Sequence, residues 1–217
     1  MNGIPVVAIL ENGSSQPATW LPDVEAIFAG LMGWMIALGV IVLAQSDIVE
    51  EKQSGTAEWV LSAPLSRLSF ILSKIVVELF WLVMVFVVVQ FIVFQYVIQA
   101  FAAPPMPIVN LLQGVGLQGL AVAFWLCFSL MLGTFSKTRG PVIGIPLVFL
   151  FFQQIIPMIF QKYAPSAQLY LPARLSEYSG RLMQGLSLPS VLPIVTALSA
   201  SVLFIILAIM RFKREEF

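Results

Sequence analysis

The chain has no histidine and a single cysteine, Cys127, among its 217 residues. Without histidine there is no His-ligated metal site, no Ser-His triad and no imidazole proton relay. One cysteine excludes an intrachain disulfide, and its place in an apolar run reads as a small buried side chain. Charge is scarce as well. Eleven Lys and Arg balance 11 Asp and Glu for a net charge of zero, so nothing in the balance points to a nucleic-acid partner. Met1 to Trp20 carries no Lys or Arg and does not read as a secretory signal. The sequence holds neither a Gly-x-x-x-x-Gly-Lys-[Ser/Thr] phosphate loop nor a Gly-x-Ser-x-Gly nucleophile turn, and no paired aspartates fall within its apolar runs.

What remains is apolar. Hydrophobic residues make up 59% of the chain and charged ones 10%, with a mean hydropathy of +0.97. Soluble domains run at roughly 45–50% apolar and about 25% charged. So little polar surface cannot coat a water-soluble globule of this size, and the excess apolar surface must face lipid. A membrane helix needs about 20 mostly apolar residues, and five such runs can be placed, at about 26–46, 75–99, 108–133, 142–160 and 192–210. The break between the second and third is Pro104-Pro105-Met106-Pro107, where missing donors and fixed φ angles force a turn. Lys137 to Gly140 breaks the third from the fourth, and Arg211 to Glu216 stops the fifth. The expected fold is all-α: one polytopic integral membrane helical bundle over 1–217, with five transmembrane helices.

Basic residues set the expected orientation. Lys52, Arg67, Lys74, Lys137, Arg139, Arg211, Lys213 and Arg214 all fall on one side of a five-span topology. Only Lys162, Arg174 and Arg181 fall on the other. Positive charge marks the cytoplasmic side, which places the C-terminus inside and the N-terminus outside. Tyr96, Tyr163, Tyr170 and Tyr178 sit near or beyond the outer boundary, as interfacial aromatics do. Residues 1–25, with Asn2-Gly3, Asn12-Gly13 and Ser14-Ser15, read as an extracytoplasmic loop or tail, and more like the end of an outer loop than a beginning.

The largest polar insertion on the basic side is 47–74. Gly55 permits a φ that other residues resist, and Thr56 can cap a helix over Ala57-Glu58-Trp59-Val60-Leu61-Ser62 that Pro64 ends. This short helix, partly apolar through Trp59, Val60 and Leu61, suits docking to a soluble partner or resting among headgroups. The run Glu51-Lys52-Gln53-Ser54-Gly55-Thr56-Ala57-Glu58, followed by Leu61, Pro64, Arg67 and Lys74, resembles the cytoplasmic signature of the type-2 ABC transporter permeases. The tail Arg211-Phe212-Lys213-Arg214-Glu215-Glu216-Phe217 also resembles tails of that family.

The resemblance implies a permease subunit of an ATP-driven exporter in the plasma or inner membrane. Such a subunit pairs with a second permease and docks a separate ABC ATPase subunit through its cytoplasmic loop. It carries no catalytic site and no cofactor of its own; ATP and Mg belong to the partner. The residues implied in coupling are Glu50, Glu51, Gly55, Thr56, Glu58, Trp59, Leu61, Pro64 and Arg67. Trp59 and Leu61 would anchor and the three glutamates would supply charge complementarity. Family members typically have six spans and an amphipathic segment before the first, and the present sequence departs from that pattern. The expectation is therefore a chain lacking an upstream helix. The alternative function is a membrane anchor or assembly subunit of the same fold that transports nothing.

Other features have plainer readings. Glu78 lies one turn beyond Lys74, so the two can pair at the interface. Gln90, Gln95, Gln99, Asn110, Gln113, Gln118, Gln153 and Gln154 either line a path or bond between helices, and the second role is commoner. Gly114, Gly116, Gly119, Gly140 and Gly144 are expected at close helix contacts. Pro146, Pro157 and Pro193 are expected to kink their helices. Within the outer segment 161–189, Tyr170, Leu171, Leu175, Tyr178 and Leu182 favour one helical face. They read as an external surface or re-entrant helix before the last span.

Overall fold

The computed structural model describes residues 21–45, 49, 67–100, 106–160 and 165–213. Among them there are six helices and no strand. Helix α1 is Leu21–Ala44. Helix α2 runs as Arg67–Val83, a π-helical turn Met84–Val88, and Val89–Ala100. Then come α3 (Ile108–Phe135), α4 (Arg139–Phe160), a 3₁₀ turn (Pro165–Tyr170), α5 (Arg174–Met183) and α6 (Leu192–Lys213). All but α5 are long and apolar enough to cross a membrane. The chain is an all-α helical bundle with the make-up of a multi-pass membrane protein.

The breaks lie where the sequence places them. Pro107 stands at the N-cap of α3 with φ −56° and ψ 134°, where its missing donor costs nothing. Ser136 turns extended at the far end, and the chain re-enters α4 at Arg139. Helix α2 begins at Arg67, well before the uncharged run, so the half-buried Lys74 and Glu78 lie within it. Pro193 is in the first turn of α6 and not in its interior. It breaks no intrahelical bond there and is no kink.

Helix α3 is the axis of the bundle. Of its span 56% is buried, against 39% for α1 and 22% for each of α2, α4 and α6. Its aromatic face organises the core: Phe128 stacks on Phe204 of α6 at 4.9 Å and meets Phe149 of α4 edge-on at 5.7 Å. Phe124 reaches Phe204 at 5.7 Å and Phe149 at 6.2 Å. Between α1 and α2, Phe28 stacks on Phe94 at 3.9 Å and meets Phe91 edge-on at 5.7 Å. The outward faces stay apolar and exposed, for example Val76, Trp81, Ile108, Val148 and Val202. In water these would be a liability; in a bilayer they are the solvent-facing surface.

Lipid tails are as apolar as Leu, so close packing and hydrogen bonds hold membrane helices together, and small residues mark their approaches. Here the tightest glycines are Gly33, Gly39 and Gly114. A Cβ on Gly39 would lie 2.4 Å from the ring of Phe86, which the π-helical turn presents to α1. The expectation for the other glycines is corrected in part. Gly119 has ordinary contact with Val83, while Gly116, Gly140 and Gly144 face open space, where no packing constraint explains them. Cys127 is buried and free.

Helix α5 is tucked into the end of the bundle against α1 and α3, not laid flat on its surface. Leu171, Leu175 and Tyr178 of the expected apolar face are buried, Leu182 is half-buried, and Tyr170 is exposed. Tyr178 is thus no interfacial aromatic. Tyr96 and Tyr170 are exposed, and Tyr163 lies outside the described residues.

Candidate functional site

Three contacts fix α5 in place. A Cβ on Gly33 of α1 would lie 2.0 Å from the Oγ of Ser176, so the two helices touch there. The Ser179 hydroxyl donates to the Gly114 carbonyl of α3 at 3.0 Å. Asn110 donates from Nδ2 to the Met183 carbonyl at 3.3 Å. The helix then ends on Gly185, whose φ of +73° favours glycine. The Leu186 N–H bonds the Arg181 carbonyl and the Gly185 N–H bonds that of Leu182, the paired pattern of a Schellman cap. At its start, the Ala173 N–H donates to Oε1 of Gln153 in α4 at 2.9 Å. Helix α5 is therefore tied to α1, α3 and α4 together.

Between these four helices lies a cleft of about 760 Å³. Ligand sites are typically about 300–1,000 Å³. Its walls come from the first half of α1, the middle of α3, the second half of α4, and α5 with the turn before it. It therefore opens at the bundle end opposite the 136–138 turn. The deep wall is apolar, with Trp34, Ala121, Trp125 and Leu150. The mouth is polar, with Arg174, Glu177, Arg181 and Gln184. On the α1 side Ile27 and Leu31 are about 60% exposed, so the cleft also opens sideways, toward what would be lipid.

The polar groups are unevenly satisfied. Arg174 pairs with Glu177 and hydrogen-bonds Gln168. Gln153 is 1% exposed; its Oε1 is engaged, but its Nε2 has no partner among the described residues. The buried Nε of Arg181 also lacks one. Tyr178, behind α5, has an unpartnered hydroxyl too; burial, then the neighbouring Glu177 carboxylate, push its phenol above its usual range. It stays neutral at physiological pH and donates no charge to the cleft.

Glu50, Glu51, Gly55, Thr56, Glu58, Trp59, Leu61 and Pro64 are outside the described residues, as is the side chain of Arg67. The one residue from 46 to 66 that is described, Val49, is 1% exposed. It packs with Met131 and Leu132 of α3, Val142 of α4 and Ala208 of α6. Of the neutral polar set, Asn110, Gln118 and Gln153 bond between elements, Gln118 through Nε2 to the Ala29 carbonyl at 3.4 Å. Gln153 and Gln154 also line the cleft. Sequence reasoning missed Gly33 and the joint role of Gln153 and Arg181, because neither residue type is unusual at its position. Among the described residues no group of three or more acidic or cysteine side chains could hold a metal ion.

No match to the chain is found among curated proteins. A family model described as a protein of unknown function, DUF2705, matches residues 9–217. The chain belongs to that family.

Proposed function

We propose that the chain is the membrane subunit of an ATP-driven exporter, a permease that passes the movement of a separate ATPase subunit to an outward-facing cleft. The observation that carries this reading is the position of α1. One end of α1 leads into the 47–74 segment, whose Val49 is seated among α3, α4 and α6. The other half of α1 forms a wall of the cleft. A push on that segment would reach both the helix core and the cleft without crossing any flexible joint in α1. The resemblance of residues 51–58 to the type-2 permease signature supplies the partner: an ABC ATPase, binding ATP and Mg on its own chain.

The charge distribution supports the sidedness. Of the eight Lys and Arg at described positions, six, Arg67, Lys74, Lys137, Arg139, Arg211 and Lys213, stand at the Val49 end, and Arg211 there stacks over Phe135, joining α6 to α3. Positive charge favours the cytoplasmic side, which puts the coupling segment inside and the cleft outside in a plasma or inner membrane. Pairing with a second permease subunit would complete the translocation path.

Co-purification in detergent with a candidate ABC ATPase subunit tests the reading. Wild type is expected to hold the ATPase, while Glu58→Lys and Trp59→Ala weaken the complex at least tenfold, as loss of a charge match or an aromatic anchor does. If the ATPase fails to bind wild type, or binds both variants equally, the coupling role is wrong. The alternative, a non-transporting anchor, would then hold the fold alone.

A further inference from the structure

We propose that the cleft binds a single-chain amphiphile with an anionic head group. The head would sit at Arg181 and Gln153 and the tail between Trp34 and Trp125. This concerns occupancy of the cleft and does not depend on an ATPase partner.

Charge is the first ground. Of the three ionised side chains lining the mouth, Arg174 and Glu177 neutralise one another. The Arg181 side chain makes no ion pair or hydrogen bond to a described residue. Among the described side chains, the cleft thus carries one uncompensated positive charge. Hydrogen bonding is the second. Two lining side chains have a buried polar atom without a partner, Nε2 of Gln153 and Nε of Arg181, and both atoms are donors. No lining acceptor is left in that state. Buried polar groups are normally satisfied, so the missing partner is one that brings acceptors. An anionic oxygen meets both the charge and the bonds; a cation or a donor-rich sugar meets neither.

The third ground is shape. The polar mouth grades into an aromatic floor, and the side wall at Ile27 and Leu31 is exposed where lipid would lie. Gly30 stands in that wall, and a Cβ added there meets nothing within 4 Å. A larger residue at Gly30 would fill the side opening without straining the bundle, in contrast to Gly33.

The test uses the full chain in nanodiscs of neutral phosphatidylcholine. The probe is an alkyl phosphate carrying bromine on its chain, which quenches nearby tryptophan; the controls are the matching bromoalcohol and inorganic phosphate. Wild type is expected to show saturable quenching by the alkyl phosphate, with the alcohol giving only the unsaturating background of membrane partition. Arg181→Gln should weaken the alkyl phosphate about tenfold or more, as loss of a charge-assisted bond does. Gly30→Leu should abolish the saturable phase while leaving gel-filtration behaviour unchanged. Equal binding by both variants, or equal saturable binding by the alcohol, overturns the proposal. If inorganic phosphate alone displaces the probe at the probe's own affinity, the cleft is an anion site that ignores the tail, and the amphiphile assignment fails.

Discussion

Replacing Gly33 by Leu is expected to unseat α5 and collapse the cleft. The reason is distance: even an alanine Cβ would lie 2.0 Å from the Ser176 Oγ and 2.7 Å from its Cβ. The Oγ can rotate away, but the Cβ moves only with the α5 backbone. A single overpacked methyl typically costs about 1–3 kcal/mol, and Leu adds three more carbons to the same gap. The hydrogen bonds that hold α5, Ser179 to Gly114 and Asn110 to Met183, contribute on average about 0.6 kcal/mol each in a membrane protein. They are too weak to keep α5 seated against that clash. At 10 residues α5 cannot hold its helix undocked. Unfolding in mixed SDS micelles should show the loss, and hydrogen exchange should show 174–183 unprotected. Ser176→Gly in the same chain removes both clashing atoms and should restore much of the stability of Gly33→Ala. Full stability in Gly33→Leu would mean that α5 does not rest on α1.

Phe124→Ala should be the most costly single truncation in the bundle. Phe124 is 2% exposed and its ring meets Trp125, Phe128, Phe149 and Phe204. Removing a buried Phe side chain costs about 3–5 kcal/mol through lost contacts and the cavity left behind. In lipid the transfer part of that cost shrinks, while the packing part, which binds α3 to α4 and α6, remains. Phe80 is the control: it is 55% exposed and meets Trp81 edge-on, so Phe80→Ala should stay within about 0.5 kcal/mol. The same SDS unfolding series measures both. Similar losses for the two would show that the aromatic cluster does not organise the core.

The spans were legible because length and apolarity alone decide them. Four of the five expected runs lie inside a helix of the bundle, the first, at 26–46, runs past the end of α1 at Ala44, and Pro107 and Lys137 mark breaks that exist. Helix α5 was half legible. Its apolar face was readable from the spacing of Leu171, Leu175 and Tyr178, but whether that face met lipid or protein depends on Gly33 and Gly114 on helices far away in sequence. Glycine in an apolar span carries no mark of its partner, so Gly116 and Gly144 look the same as Gly33 until the helices are assembled. The cleft was not legible at all. In sequence Arg174, Glu177 and Arg181 stand only as charges in a mixed outer segment, and only the pairing of two of them leaves the third uncompensated.

A permease of the proposed kind needs its cleft and its coupling segment on opposite sides of the membrane. Single-cysteine labelling measures this directly. In a Cys127→Ala background, Ser187→Cys marks the exposed loop beside the cleft and Thr138→Cys marks the exposed turn at the Val49 end. With a membrane-impermeant maleimide on intact cells, position 187 should label and position 138 should label only after permeabilisation. Labelling of 138 but not 187 in intact cells would place the cleft in the cytoplasm and contradict the proposed export.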